Sequence, residues 1–241
     1  MNIDFKNKTI LITGGTRGIG KAIAENFYNA GGDVTVTGTR INRPVFLPRE
    51  IKYLKLKISP KTNHIEIAKI FNRFKKLDIL VNNAGINIIE DVQKIDINNF
   101  DKILNLNLKT PLILCKQACK LMKKNGGKIV NIASIWSKLG KKGRASYIAS
   151  KSGLAGLSRG LAVDLAKDNI LVNTVSPGFV ETDLTKKSLS TEQLSSIIKE
   201  IPLNRIAQTD EIAKLVCFLC SDLNSFITGQ NIFIDGGFSI V

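Results

Sequence analysis

The sequence predicts an α/β protein: one domain, residues 1–241, on a doubly wound, mostly parallel sheet of about seven strands. Three features say so. Buried-type β-branched runs alternate with helical runs along the whole chain. A length of 241 residues with 44% hydrophobic content suits one undivided α/β core. No linker, repeat or low-complexity stretch interrupts the alternation.

In order, KTILITG is the first strand, GKAIAENFYNAG the first helix and DVTVTGT the second strand. Between Arg40 and Tyr53 the run INRPVFLPREIK stands where a crossover helix is expected. Pro44 and Pro48 exclude a regular helix there, so a loop of crossover length is expected over 41–52. KYLKLKI is the third strand. A helix is expected from about Thr62 to Lys76, with Ile67, Ile70, Phe71 and Phe74 on one side. LDILVNNAG, a long helix near Phe100 to Lys124, GKIVNIAS and a helix carrying Tyr147 and Lys151 follow. After the strand ILVNTVSPG comes a polar segment, 178–205, whose amphipathic helix displays Leu194, Ile197 and Ile198 and is expected to cover a substrate. The same three residues would equally serve to pack that helix on the body of the protein. A helix near Asp210 to Ser221 and the strand NIFIDGG end the chain.

Charge narrows the function. With 35 basic and 20 acidic residues the net charge is +15, but the lysines are spread end to end and aromatic residues are only 6%, which argues against a nucleic-acid surface. No window is apolar enough to span a membrane and the N-terminus does not read as a signal peptide, so a cytoplasmic location is expected. Cys115, Cys119, Cys217 and Cys220 lie in apolar helical patterns and read as core rather than as a metal or redox site. His64, the sole histidine, sits at a solvated helix start, and no metal site is expected.

Two constellations carry chemistry. TGGTRGIG, Thr13 to Gly20, follows the first strand and opens the first helix, the setting in which a glycine-rich loop receives a dinucleotide pyrophosphate. The acidic residue that would bond an NAD ribose is missing: twenty residues past Gly20 stands Arg40, and no Asp or Glu occurs from Val34 to Arg49. Arg17, Thr39 and Arg40 suit a 2′-phosphate, so NADP(H) is the expected cofactor. In SYIASK, Tyr147 and Lys151 share one helix face, where an ammonium lowers a phenol's pKa toward acid–base use. Alone, the pair also suits an ordinary amphipathic helix.

Together with LVNNAG, Asn107 in LNLNLK, Ser134 in IVNIAS, VNTVSPGFVETD and ITGQNIFIDGG, these segments resemble the short-chain dehydrogenase/reductase family over nearly the whole chain, especially its 3-oxoacyl-acyl-carrier-protein reductase-like branch. The resemblance implies a Rossmann fold and a catalytic set of Asn107, Ser134, Tyr147 and Lys151. Tyr147 would protonate the substrate oxygen as hydride arrives, and Lys151 would lower its pKa and hold the nicotinamide ribose. Ser134 would polarise the carbonyl, and Asn107 would hold a water leading from Lys151 to solvent. It further implies cofactor contacts from Gly14, Thr16, Arg17, Gly18, Ile19, Gly20, Thr39, Arg40, Ile58, Asn82, Ala84, Gly85, Tyr147, Lys151, Pro177, Gly178, Val180 and Thr182. Asn82 and Asn83 also read as strand-end residues satisfying the backbone.

The expected activity is NADPH-dependent reduction of a 3-oxoacyl thioester, as in fatty acid biosynthesis. Reduction of a sugar, polyol or small keto compound is the alternative, and a non-catalytic NADP-binding protein a second one. An acidic acyl carrier protein is the expected macromolecular partner, docking on Lys123, Lys124, Lys128, Lys141, Lys142 and Arg144. A homotetramer is expected, with Ala155, Gly156 and Gly160 allowing close helix approach or easing packing within the subunit. Two departures from the family stand out. Lys57 replaces the usual Asp or Asn after the third strand, and Trp136 is bulkier than usual.

Overall fold

In the computed structural model all residues are described except 1, 2, 46, 60–62, 183, 184 and 186–189. The aliphatic runs become the strands β1 (Thr9–Ile12), β2 (Asp33–Gly38), β3 (Lys52–Lys55), β4 (Ile79–Asn82), β5 (Gly127–Ile132), β6 (Ile170–Pro177) and β7 (Asn231–Ile234). All neighbours pair in parallel, in the order β3-β2-β1-β4-β5-β6-β7. The helices are α1 (Gly18–Asn29), α2 (Asn63–Phe71), α3 (Ile97–Leu104), α4 (Thr110–Met122), α5 (Ala145–Leu165), α6 (Thr191–Glu200) and α7 (Thr209–Cys220). The direction of strand addition reverses between β1 and β4, and in such sheets ligands bind beyond the strand ends at that reversal.

Strand periodicity sorts the core onto two faces. Ile10, Ile12, Ile79 and Val81 pack with α1 and α7 on one side, while Leu11 and Leu80 pack with α2 and α4 on the other. Cys217 and Cys220 lie in the first core and Cys115 in the second, where burial pushes the Cys115 and Cys217 thiols up to about 12. These are packing residues. Among the described residues no helix is long and apolar enough to cross a membrane.

The connection between β2 and β3 is the expected loop. Leu47 and Ile51 bury themselves in the first core, and Arg43 donates to the carbonyls of Leu47, Pro48 and Ile51, so one guanidinium replaces the hydrogen bonds of a helix. The next helix is shorter than expected: α2 ends at Phe71, because beyond it only Phe74 continues the apolar side. Thr62 lies outside the described residues. The long helix is interrupted. Between α3 and α4 the chain widens into a π turn, Asn105–Lys109, closed in part by Thr110 Oγ1 donating to the Asn105 carbonyl at 2.8 Å. Its start also comes earlier, at Ile97, because Asp96 caps it by accepting from Asn98 N.

One buried polar ladder ties α5 to the sheet. Asn82 of β4 donates to Asn131 of β5 (2.7 Å), Asn131 donates to Ser158 of α5 (2.8 Å), and Ser158 donates to the Leu154 carbonyl (2.8 Å). Ala155 is buried inside the subunit, so it eases packing on the sheet, whereas nothing lies within 4 Å of a Cβ placed on Gly160. Replacing Ser158→Ala strands the Asn131 amide in the core. A loss of ~1–3 kcal/mol in unfolding free energy is expected from urea denaturation, and an unchanged midpoint would show that the ladder contributes nothing.

Candidate active site

The C-terminal ends of β1, β4, β5 and β6 bring the sequence motifs together. The loop after β1 is braced from below: Asn83 Nδ2 donates to the Thr13 and Gly14 carbonyls (3.0 Å each), while Asn83 N and Ala84 N both donate to Thr13 Oγ1 (3.0 and 3.1 Å). Gly20 is required here. A Cβ on it would stand 2.3 Å from the Gly14 carbonyl oxygen and 2.4 Å from Asn83 Nδ2. Gly14, at φ +65°, allows the turn that no side-chain-bearing residue adopts readily.

This loop opens α1 at Gly18 with no side-chain cap and no acid in the first turn, so the helix N-terminus faces outward with unsatisfied N–H groups, the donor set an anion requires. Thr16 meets Gly38 and Tyr53 at the end of β2, and Tyr53 Oη donates to the Arg40 carbonyl at 2.7 Å. The exposed Arg17, Thr39 and Arg40 therefore gather at one corner. On the far side Thr182 Cγ2 lies 3.4 Å from where a Gly18 Cβ would stand, so the segment after β6 reaches across to the loop. The loop and the helix N-terminus fit a dinucleotide phosphate backbone.

Not every expected contact faces that surface. The side chain of Asn82 is 2% exposed and turned inward, where its Nδ2 donates to Asn131 and Cys115 Sγ and its Oδ1 has no partner. It acts as a clamp within the sheet. The strand-end reading suits Asn83. Ile58 leans on the second core, while Pro177 and Val180 are buried. Gly178 is held against Asp235, whose Cβ lies 2.8 Å from the place of a Cβ on Gly178.

Ser134, just past β5, is 8% exposed; its Oγ accepts from Trp136 N at 3.4 Å, and it lies near enough to the Tyr147 phenol to favour its ionisation. Lys151, 4% exposed, donates to the Ile132 carbonyl at 2.7 Å, with its Nζ 5.6 Å from the Tyr147 ring centroid. The π turn aims Asn107 at the same place. Its Oδ1 accepts from Ile86 N (2.9 Å), and its Nδ2 donates to the Ile86 carbonyl (2.8 Å) and to Ser150 Oγ (3.1 Å). Ser150 in turn donates to the Tyr147 carbonyl at 2.7 Å. A Cβ on Gly85 would lie 3.2 Å from Asn107 Oδ1 and 3.5 Å from Lys151 Nζ, so the bare backbone there lets both polar groups approach it closely.

The electrostatics differ from the sequence expectation. Burial pushes the Tyr147 phenol up to about 12, against the lowering effects of the Ser134 hydrogen bond and the Arg144 charge. Burial also pushes the Lys151 ammonium down to about 8. Desolvation, not Lys151, governs the tyrosine. At neutral pH this leaves a protonated phenol beside a lysine that still carries its charge.

Ser150 escaped sequence reasoning. Its one signal was a small polar residue one turn past Tyr147. Trp136 is buried, edge-on to Phe179, and Phe179 is edge-on to Phe238. A cavity of about 480 Å³ beside them is lined by Trp136, Leu139, Gly140, Lys141, Glu200, Phe238 and Val241. The lysines expected to dock a partner divide. Lys141 and Lys142 border the active-site loop, but Lys123, Lys124 and Lys128 lie where α4 returns to the start of β5, the opposite end of the sheet from Ser134. A parallel crossover always carries the chain back to that end. Asp168, which precedes β6, lies there too.

A family model described as enoyl-(acyl carrier protein) reductase matches residues 14–239. The chain is 38% identical over 249 residues to the 3-oxoacyl-[acyl-carrier-protein] reductase of Aquifex aeolicus, covering 98% of this chain and 99% of that protein. It is 39% identical over 241 residues to the enzyme of that name from Rickettsia felis, covering 99% and 100%. Among solved structures, a gluconate 5-dehydrogenase from Burkholderia cenocepacia, crystallised with NADP and tartrate, superposes with a TM-score of 0.92 at 26% identity, covering 100% of this chain and 98% of the other.

The lysine can be read directly. Heteronuclear NMR of the lysine side chains, with Lys151→Met for assignment, should give Lys151 a titration midpoint of about 8. A midpoint in the ordinary lysine range would show that burial does not control it.

Proposed function

The chain belongs to the short-chain dehydrogenase/reductase family of oxidoreductases, and from that premise we propose that it reduces the 3-oxo group of an acyl thioester with NADPH. The supporting observation is the convergence of Ser134, Tyr147, Lys151 and Asn107 at one sheet end, in a chain 38% identical over 98% of its length to a 3-oxoacyl-[acyl-carrier-protein] reductase.

NADPH, when bound, supplies the hydride for the carbonyl carbon. The chain supplies the rest. Ser134 Oγ and Tyr147 Oη donate to the carbonyl oxygen where negative charge develops. Tyr147 transfers its proton to that oxygen as the carbon–oxygen double bond becomes single. The adjacent ammonium of Lys151 stabilises the phenolate left behind. Asn107, fixed to Ile86 and Ser150, keeps a polar route open for the proton that restores Tyr147. Arg17 and Arg40 pair with the 2′-phosphate that distinguishes NADPH from NADH. Lys141 and Lys142 border the entrance, where an acidic carrier protein would present the acyl group.

Reduction of a small sugar or keto acid is the second reading, favoured by the fold match to the gluconate dehydrogenase. Full-length identity to the thioester reductases outweighs it.

Consumption of NADPH with a 3-oxoacyl thioester, set beside a gluconate-type substrate, tests the assignment. Brisk thioester turnover is expected, falling at least ~10²-fold in Tyr147→Phe while NADPH still binds. Turnover of only the sugar acid would sink it. NADPH should outperform NADH in kcat/KM, and Arg40→Asp should shrink that preference by ~10-fold or more. Equal use of both cofactors by the unaltered protein would show that Arg17 and Arg40 miss the phosphate.

A further inference from the structure

Among the described residues, no carboxylate accounts for the place of Arg144 at the start of α5. It precedes α5 without any side-chain hydrogen bond to cap the helix, while its backbone N–H donates to the Lys141 carbonyl and its carbonyl accepts from Ile148 N. Its guanidinium lies over the Trp136 ring, 5.5 Å from the centroid, and is half-buried. No carboxylate stands within ion-pair distance of it among the described residues, and the nearby Asp91 faces Lys142 instead. Partial burial depresses its basicity, and a Tyr147 phenolate would oppose that shift. A cation taken partly out of water without an acid is unfavourable unless something else uses it. An arginine held against an aromatic face keeps its N–H fork free for an acceptor.

Its surroundings say which acceptor. Arg144 lies one turn before Tyr147 on the chain and over Trp136, just past Ser134. Ser134 and Tyr147 share one oxygen site, and Arg144 is close enough to act on that phenol. We infer that Arg144 recognises a second oxygen of the substrate, carried on the carbon two positions from the ketone being reduced. In a 1,3-dioxo compound the two oxygens are less than a helical turn apart, a gap that an arginine side chain spans. Such an oxygen occurs in a 3-oxoacyl thioester as the thioester carbonyl and in a free 3-oxo acid as a carboxylate, which would take the guanidinium fork in bidentate fashion. The inference rests on the carbonyl-reduction reading above and holds for either source. Arg144 would set preference for 1,3-dioxo substrates over plain ketones.

The test measures NADPH-dependent kcat/KM for three substrates: the N-acetylcysteamine thioester of acetoacetate, acetoacetate itself, and 2-pentanone as a plain ketone. The unaltered protein is compared with Arg144→Met and Arg144→Gln, with thermal unfolding and NADPH binding confirming that each variant is folded. The ratio of a dioxo substrate to 2-pentanone should fall ~10–100-fold in Arg144→Met, the range for losing a charged hydrogen bond, with much of the change in KM. Arg144→Gln, which keeps a donor, should retain more on the thioester than on acetoacetate. If Arg144 acted only through the acidity of Tyr147 or through folding, all three substrates would decline together and the ratios would hold. Unchanged ratios in both variants overturn the inference. If the unaltered protein ignores the thioester yet reduces acetoacetate, the thioester assignment fails and Arg144 is judged on the acetoacetate ratio alone.

Discussion

Everything at this site hangs on how α5 is fastened to the sheet. The helix carries both Tyr147 and Lys151, and it docks through buried hydrogen bonds: Asn131 to Ser158 deep in the core, and Lys151 to the Ile132 carbonyl at the strand end. Apolar packing alone would let such a helix slide or rotate, because hydrophobic contact has no direction. A buried donor with one available acceptor has direction, and leaving it unmatched is costly. The ladder from Asn82 through Asn131 to Ser158 thus fixes how α5, and with it Tyr147, sits against β5, at whose end Ser134 stands.

The same burial sets the chemistry. An exposed phenol would titrate in the ordinary tyrosine range, whereas desolvation at the half-buried Tyr147 keeps its proton on well past neutral pH. Lys151 bears the opposite consequence, since an ammonium enclosed by the sheet end and Tyr147 gives up its proton more readily. The π turn is a third part of the arrangement. It replaces one ordinary turn by a wider one, and the widened backbone brings Asn107 to bond both Ile86 and Ser150. Through Ser150 that side chain also steadies the backbone of Tyr147, so the π turn and α5 meet at one tyrosine.

Around this fixed centre the chain varies. A proline-bearing loop held by Arg43 stands in for a helix between β2 and β3, yet Leu47 and Ile51 still close the core beneath it. Trp136 fills space beside Ser134 and, with Phe238, lines the adjoining cavity, the two rings bridged edge-on by Phe179. The glycine loop is braced from beneath by Thr13 and Asn83, two of the four bonds going to backbone carbonyls and two to Thr13 Oγ1.

Much of this was legible in the residues themselves. Strand and helix alternation gave the sheet because burial on both faces demands continuous aliphatic runs, and Pro44 and Pro48 gave the loop because their rings forbid a helix. The glycine loop and the Tyr147–Lys151 pair were legible because turn geometry and helical spacing are local properties. Other facts needed the tertiary structure. The inward turn of Asn82 depends on its partner Asn131 in the neighbouring strand, which no spacing along the chain reveals. The π turn and the role of Ser150 arise from contacts between distant segments. The separation of Lys123, Lys124 and Lys128 from the site follows from the direction of a crossover rather than from charge. The high pKa of Tyr147 was likewise hidden, since composition reports a neighbouring lysine but only packing decides how much water remains. The sequence by itself determined which groups are present and which local shapes they take; the fold decided which of them meet, because meeting is set by burial and by hydrogen bonds between residues far apart in the chain.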